Sequence, residues 1–294
     1  YNGNYEIFSI GAGGNNTPIN LTNHPGNDYN PQFCSNGSKI VFESWRTGNC
    51  EIFIMDRDGF NLNQLTFNNG SDNDLKVATH TIGMDKFVYV STLNGNQEIF
   101  IMNEDGTEKR NLTENPYPQY SPSISEDGDQ IVYIGENNGF VDIYWEDLTT
   151  GDSLNLTSND FEERNPQFVK GGFNPNSESG DFIVYESNKD GTWSIYFQKI
   201  PSLNGNLNSP IDDFAKSNTD QANPSFAEII LNSSNPDDIS EGYMVYEAID
   251  GNGSSTIFIV NEQGDYPVMN PNEIFPSGKL SNEFGEDFLP QIQP

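Results

Sequence analysis

Carboxylates recur at one offset in this sequence. Asp28, Glu163 and Asp287 each stand three residues before a proline, namely Pro31, Pro166 and Pro290. Asp220 lies close to the same place before Pro224, and Asp72 and Asp74 fall in the corresponding stretch of another segment. Carboxylates that converge can hold a hard cation such as calcium, which takes about six to eight oxygens. In a chain with 44 Asp+Glu, solvated loop acids are the plainer reading. Just after the prolines comes an uncharged polar series, Gln32, Thr79, Ser123, Gln167, Ser225 and Gln291. Such side chains line a wet channel, or tie strand ends and trapped water by hydrogen bonds.

Trp45 and Trp193 sit in polar loops between apolar runs. An exposed indole there stacks on a sugar or anchors a protein, whereas a covered one simply packs. Arg164 is flanked by acids and can hold a ligand carboxylate, although pairing with Glu162 or Glu163 is the simpler expectation. His24 and His80 are the only histidines and Cys34 and Cys50 the only cysteines. A structural zinc site needs about four such ligands gathered together, which two separate pairs do not announce. No Gly-x-Ser-x-Gly elbow is present. Asp56-Arg57-Asp58-Gly59 opens like a calcium loop and then lacks the later ligands. Catalytic residues are therefore not assigned. No cofactor is required, and calcium is the one ion the acids would suit.

The elements that must position these residues come from a repeat. Glu51-Ile52-Phe53-Ile54-Met55 has echoes at Glu6-Ile7-Phe8, Glu98-Ile99-Phe100, Asp142-Ile143-Tyr144, Ser194-Ile195-Tyr196 and Thr256-Ile257-Phe258. The shared isoleucines are 44 to 62 residues apart, the spacing of propeller blades or helical arrays. About ten residues earlier runs a second apolar stretch, such as Ile40-Val41-Phe42 or Phe87-Val88-Tyr89. These runs are short, β-branched or aromatic, and bounded by Asn-Gly and Asp-Gly, which is strand and hairpin chemistry. A short fourth segment ends in Leu-Thr at 65–66, 112–113 and 156–157. A proline-marked strand opens the period, with Asn30-Pro31-Gln32-Phe33 as its type, and proline suits a strand start. Counting back from Phe87 gives Val77-Ala78-Thr79-His80 as the degenerate copy, so that His80 fills the slot of Phe33 and Phe168 and belongs in the core.

Four antiparallel strands per period describe a propeller blade, and the periods number six. The expected fold is all-β, a six-bladed β-propeller in a single domain over 1–294. The N-terminal strands (5–10 and 19–22) and the strand near Pro290 share the closing blade, which leaves no open edge. No second strand is visible for that blade. Blades four and five carry insertions at Lys170 to Gly180 and Ile229 to Gly242. Cys34 and Cys50 are separated by one strand, about 9.6 Å laterally, beyond the roughly 7 Å that a disulfide spans between Cα atoms. No bridge is expected.

Asn30-Pro31, Lys39-Ile40-Val41-Phe42, Ser44-Trp45-Arg46-Thr47-Gly48-Asn49, Glu51-Ile52-Phe53-Ile54-Met55, Asp58-Gly59 and Leu65-Thr66 resemble the TolB-type β-propeller repeat. The resemblance runs through nearly the whole chain, fully in the first two blades and more weakly in blades four and five. It implies first strands along a central channel, with Asp28, Trp45, Glu163, Arg164, Trp193, Asp220 and Asp287 around one mouth. It further implies that Arg46 fixes its loop, and that the protein is bacterial and either periplasmic or secreted. Such propellers serve as protein-binding modules, peptidase domains or glycan-active enzymes. A non-catalytic module binding a protein or peptide at its acidic mouth is the first expectation. A glycan-binding or glycan-active protein, calcium-assisted, is the alternative.

The charge sharpens the choice of partner. Thirteen Lys+Arg against 44 Asp+Glu leave a net charge of −31. Nucleic acid and anionic membrane both need a basic footprint, so neither is expected. No run of about 18 apolar residues is present to span a bilayer. Hydrophobic content is only 34%, yet aromatics reach 12%, which marks a folded core rather than disorder. A monomer is expected. The opening Tyr1-Asn2-Gly3, without a leader-like segment, is expected of a mature or trimmed chain.

Overall fold

The computed structural model describes residues 3–11, 17–78, 83–169 and 182–200 with their side chains, and 220–229, 241–249 and 255–261 as backbone. Among the described residues every strand pairing is antiparallel. β1 (Phe8–Ser9) pairs with β2 (Ile19–Asn20). A four-stranded sheet follows in chain order, with β3 (Asp28–Cys34), β4 (Lys39–Ser44), β5 (Glu51–Asp56) and β6 (Asn63–Gln64). The next holds β7 (Asp72–Ala78), β8 (Lys86–Ser91), β9 (Glu98–Asn103) and β10 (Arg110–Asn111). The third holds β11 (Gln119–Ile124), β12 (Gln130–Asn137), β13 (Phe140–Asp147) and β14 (Ser153–Asn155). Two three-stranded sheets complete the described strands, β15 (Glu163–Phe168), β16 (Phe182–Ser187) and β17 (Ser194–Lys199), then β18 (Asp220–Ile229), β19 (Glu241–Ile249) and β20 (Ser255–Asn261). By contacts the chain forms two compact units. Residues 3–136 with 147–149 make the first; 137–146 and the described residues from 150 onward make the second.

In the first unit the apolar runs are continuous rather than alternating because both faces of a sheet are covered. Ile40, Phe42, Phe53 and Met55 leave one face of the β3–β6 sheet and pack with Ile7. Val41, Ile52 and Ile54 leave the other and pack with Leu75, Phe87, Tyr89, Phe100 and Met102 of the β7–β10 sheet. The period of two along each strand sends alternate residues to these two layers.

The recurring Leu-Thr is a side-chain clasp on a strand of two or three residues. Leu65 N–H donates to Ile52 O at 2.8 Å, Leu112 to Ile99 O at 2.8 Å and Leu156 to Ile143 O at 2.7 Å. In return the threonine hydroxyls of Thr66, Thr113 and Thr157 each accept the N–H of that isoleucine at 2.9 Å. Ile7 N–H is held the same way by Thr22 at 3.0 Å. The residue that opens each clasp is acidic, Glu6, Glu51, Glu98 or Asp142, and it accepts from loop amides, the side-chain amide of Asn94 in the case of Glu98 and backbone N–H groups in the others.

Proline does not sit at the strand start. It lies inside the first strand, in a β-bulge. Register shifts fall between Tyr29 and Gln32, Asn73 and Lys76, Tyr120 and Ser123, and Arg164 and Gln167. The bulged Asn30, Asp74, Ser121 and Asn165 take φ between 47° and 52°. A bulge leaves one residue out of the ladder, so the proline that follows costs no hydrogen bond. Leu75 replaces the proline in β7, which shifts the expected copy there. Lys76 faces Val88 as Gln32 faces Val41, and Val77 stands where Phe33 stands. Thr79 and His80, expected in those slots, lie outside the described residues. The slot is not uniformly core either, because Phe33 is 61% exposed while Phe168 is buried.

Candidate functional site

At one end of each sheet the first and third strands begin and the second ends. Asp28, Asp72 and Glu163 are the first residues of β3, β7 and β15 there, opposite Ser44, Ser91 and Ser187. All three are at most 3% exposed. Each is engaged by side chains of its own unit. Arg46 Nη2 donates to Asp28 Oδ1 at 2.9 Å. Asp72 accepts the Ser91 hydroxyl at 2.5 Å and Asn68 Nδ2 at 2.7 Å. Burial, reinforced by nearby Glu51, pushes the Asp72 carboxyl up to about 6. Glu163 Oε1 accepts Asn159 Nδ2 at 3.0 Å and the Ser187 hydroxyl at 3.2 Å, and burial raises its affinity for a proton. Gln119 takes the equivalent place in β11.

Arg46 fixes the loop after β4. Besides Asp28, its Nε donates to Ser44 Oγ at 2.7 Å, and its guanidinium lies 4.8 Å from the Phe53 ring centroid and 5.3 Å from that of Phe42. Trp45 beside it is 47% exposed. Trp193 is half-buried, covered by the Arg164 guanidinium at 3.9 Å. Arg164 does not pair with Glu162 or Glu163. Its Nε donates to Glu186 Oε2 at 2.6 Å, because Glu186 is its cross-strand partner while adjacent Glu163 points to the opposite face and Glu162 precedes the strand.

Of the polar series, Gln32 is half-buried and donates from Nε2 to Leu75 O and to Asn30 Oδ1, the latter at 3.3 Å. Ser123 is buried and Gln167 half-buried. In register they face Val41, Val132 and Val184. Ser225 faces Val245 and Asp220 faces Ile249 along the β18 backbone. The side chains of Asp220 and Ser225 lie outside the described residues, as do Thr79, Asp287, Gln291 and nearly all of both insertions. His24 is a loop tie, its Nδ1 accepting Gly26 N–H at 3.0 Å. Cys34 and Cys50 are free, buried thiols, and burial pushes both up to about 12. Among the described residues no three His, Cys, Asp or Glu come together as a metal-binding group.

Two features of this end were not anticipated. The first is an asparagine two residues before the clasp acid. Asn4 Nδ2 donates to His24 O and Gly26 O. Asn49 Nδ2 donates to Asn68 O and Gly70 O, and Asn96 Nδ2 to Asn115 O and Tyr117 O. The repeated Asn-x-Glu-Ile-Phe at 4, 49 and 96 carried that signal. The second is a set of exposed apolar side chains on the loops. Besides the anticipated Trp45, Phe67, Leu93 and Tyr117 belong to the first unit, and Phe161 and Phe140, the latter at the start of β13, to the second, all between 39% and 72% exposed.

No protein-family model matches the sequence, and no curated protein matches it. Solved structures do. The Agrobacterium tumefaciens protein assigned as TolB is similar at 16% identity over 83% of this chain and 85% of that one, with a TM-score of 0.55. Kuenenia stuttgartiensis hydrazine synthase is similar at 16% identity, over 87% of this chain and 40% of that one, with a TM-score of 0.55. Oligogalacturonate lyase from Vibrio parahaemolyticus is similar at 14% identity, over 88% and 70%, with a TM-score of 0.55. At these identities the likeness is one of fold, a TolB-like β-propeller.

Proposed function

We propose that this TolB-like chain is a non-catalytic binding module, a single domain over 1–294 whose six blades close into a ring through its terminal strands. It takes a protein or peptide at the loop end of its blades. One observation carries the reading. The acids of that end are buried and engaged as structural acceptors, whereas Trp45, Phe67, Leu93 and Tyr117 stand out on successive loops of the first unit. Single exposed apolar residues are ordinary. Their recurrence at the same end of three consecutive sheets supports aromatic anchoring of a partner, set in an acidic surround that favours a basic one. The protein works as a monomer in the periplasm or outside the cell, in keeping with its TolB-like fold. Nucleic acid is not its partner at a net charge of −31. None of the helices among the described residues is long and apolar enough to cross a membrane.

The second reading is a glycan ligand, assisted by calcium at the loop acids. Exposed Trp45 and the likeness to a lyase named for oligogalacturonate favour it. The test is affinity capture from the periplasmic and secreted fractions with the native chain and with a Trp45→Ala/Leu93→Ser variant. The expected result is a defined protein that the native chain retains and the folded variant loses. Equal capture by both refutes the loop surface. Binding on a glycan array, with or without calcium, in the absence of protein capture establishes the second reading instead.

A further inference from the structure

Two seams between consecutive repeats share an arrangement with a missing hydrogen. In the first unit, Asp72 N–H donates to Cys50 O at 2.8 Å, which brings the start of β7 beside Glu51. Three of the four oxygens of Glu51 and Asp72 have donors. Glu51 Oε1 accepts Asn49 Nδ2 at 2.8 Å and Asn68 N–H at 3.0 Å, and Asp72 accepts Ser91 and Asn68. Glu51 Oε2 is buried with no partner, in a residue 1% exposed. In the second unit the pair is Asp142 and Glu163, bridged by Asn159. Asp142 accepts Asn155 Nδ2 at 2.9 Å and Asn159 N–H at 3.3 Å, and Glu163 Oε1 accepts Asn159 and Ser187. Again one oxygen is left over, Glu163 Oε2, in a residue 3% exposed.

A buried acceptor without a donor costs free energy comparable to its lost hydration, and two adjacent buried carboxylates disfavour each other's ionisation. The groups facing Asp72 are Glu51 from β5, Cys50 before it and Tyr89 from β8; those facing Glu163 are Asp142 from β13 and Tyr185 from β16. The ion pairs among the described residues involve none of these four acids. The sequence itself offers a neutral version of the place, since Gln119 N–H donates to Gln97 O at 2.9 Å, which brings the start of β11 beside Glu98 at the intervening seam, and Gln119 is buried like Asp72. We propose that each doubly acidic seam takes up one proton, on Asp72 in the first unit and on Glu163 in the second, and that this proton is a switch. It holds the seam and the loop crossing it, residues 66–71 or 157–162, closed in mildly acidic medium and releases them as the proton leaves.

The proton comes from solvent and removes one of the two buried charges of the seam. Burial pushes Asp72 up to about 6 and raises Glu163 in the same direction. A raised carboxyl binds its proton more tightly in the folded chain. The stabilisation is therefore complete below the unfolded value near pH 4 and is lost as pH rises through about 6. The experiment is thermal unfolding of the full chain at pH 5 to 8, with Asp72→Asn, Glu163→Gln and Gln119→Glu variants. The native midpoint is expected to fall by roughly 5 °C or more across that range. The fall shrinks in each neutralised variant, which at pH 8 melts above the native chain. Gln119→Glu, which adds a third acid pair against Glu98, steepens it. Pale or absent differences in pH dependence among the four proteins overturn the proposal, and so do neutralised variants that melt below the native chain at pH 8.

Discussion

The Arg46–Asp28 pair offers the sharpest test of how this end of the first unit is held. Its two side chains are 9% and 0% exposed, and Asp28 already has one buried oxygen, Oδ2, without a partner. Arg46→Met keeps a flexible apolar stem against Phe42 and Phe53 while removing the guanidinium. Asp28 then stays buried with the donor to Oδ1 gone as well. Removing one partner of a buried ion pair costs about 3–5 kcal/mol, because the remaining charge is uncompensated. The loss of cation–π contact adds about 0.5–1 kcal/mol. At roughly 2–4 °C per kcal/mol for a chain of this size, the melting point falls by about 7–24 °C. Urea unfolding followed by tryptophan fluorescence gives the free energy directly. The Arg46→Met/Asp28→Asn double variant carries no stranded charge and recovers more than half of the loss, a coupling that the double-mutant cycle reads out. A single variant within about 1 kcal/mol of the native chain, the worth of a surface pair, refutes the reasoning. So does a double variant less stable than the single one.

Two further substitutions probe the clasp and the close approach of loops. Thr113→Val keeps the shape of the side chain but strands the buried Ile99 N–H, which the hydroxyl meets at 2.9 Å. A loss of about 1–2 kcal/mol in urea unfolding is expected, with faster hydrogen exchange at Ile99. A β-carbon at Gly70 meets Leu93 N at 2.5 Å and Thr92 C at 2.8 Å, both backbone. Gly70→Ala therefore costs about 1–3 kcal/mol through a displaced loop, and a variant as stable as the native chain contradicts that packing.

The strands were legible because their cause is local. Runs such as Ile40-Val41-Phe42 announce a strand whichever neighbour covers it, and Asn-Gly and Asp-Gly mark the turns. The fate of the acids was not legible. Asp28, Asp72 and Glu163 look like loop carboxylates, and their burial depends on partners elsewhere in the chain: Arg46 for the first, Ser91 and Asn68 for the second, Ser187 and Asn159 for the third. Nothing in the spacing of Arg164 distinguishes Glu186 from its chain neighbours until β15 is set in register against β16. The offset in β7 has the same origin. Without a proline the bulge leaves no mark in the sequence, and counting from the next strand overshoots it by three residues.

The asparagine that reaches loop carbonyls has a consequence for how such a chain can lengthen. Asn49 grips residues 68 and 70, Asn96 grips 115 and 117, and Asn4 grips 24 and 26, each about twenty positions downstream. The clasp of the outer strand and the asparagine grip on the linker beyond it are thus written within one stretch of text. A copy of that stretch, pasted in tandem, arrives with these fastenings and meets the next copy at an apolar face and at its second-to-third-strand loop, as Ser71 meets Thr92. The cassette that gene duplication can multiply therefore runs from the third strand of one blade into the first strand of the next, straddling the sheets rather than coinciding with them.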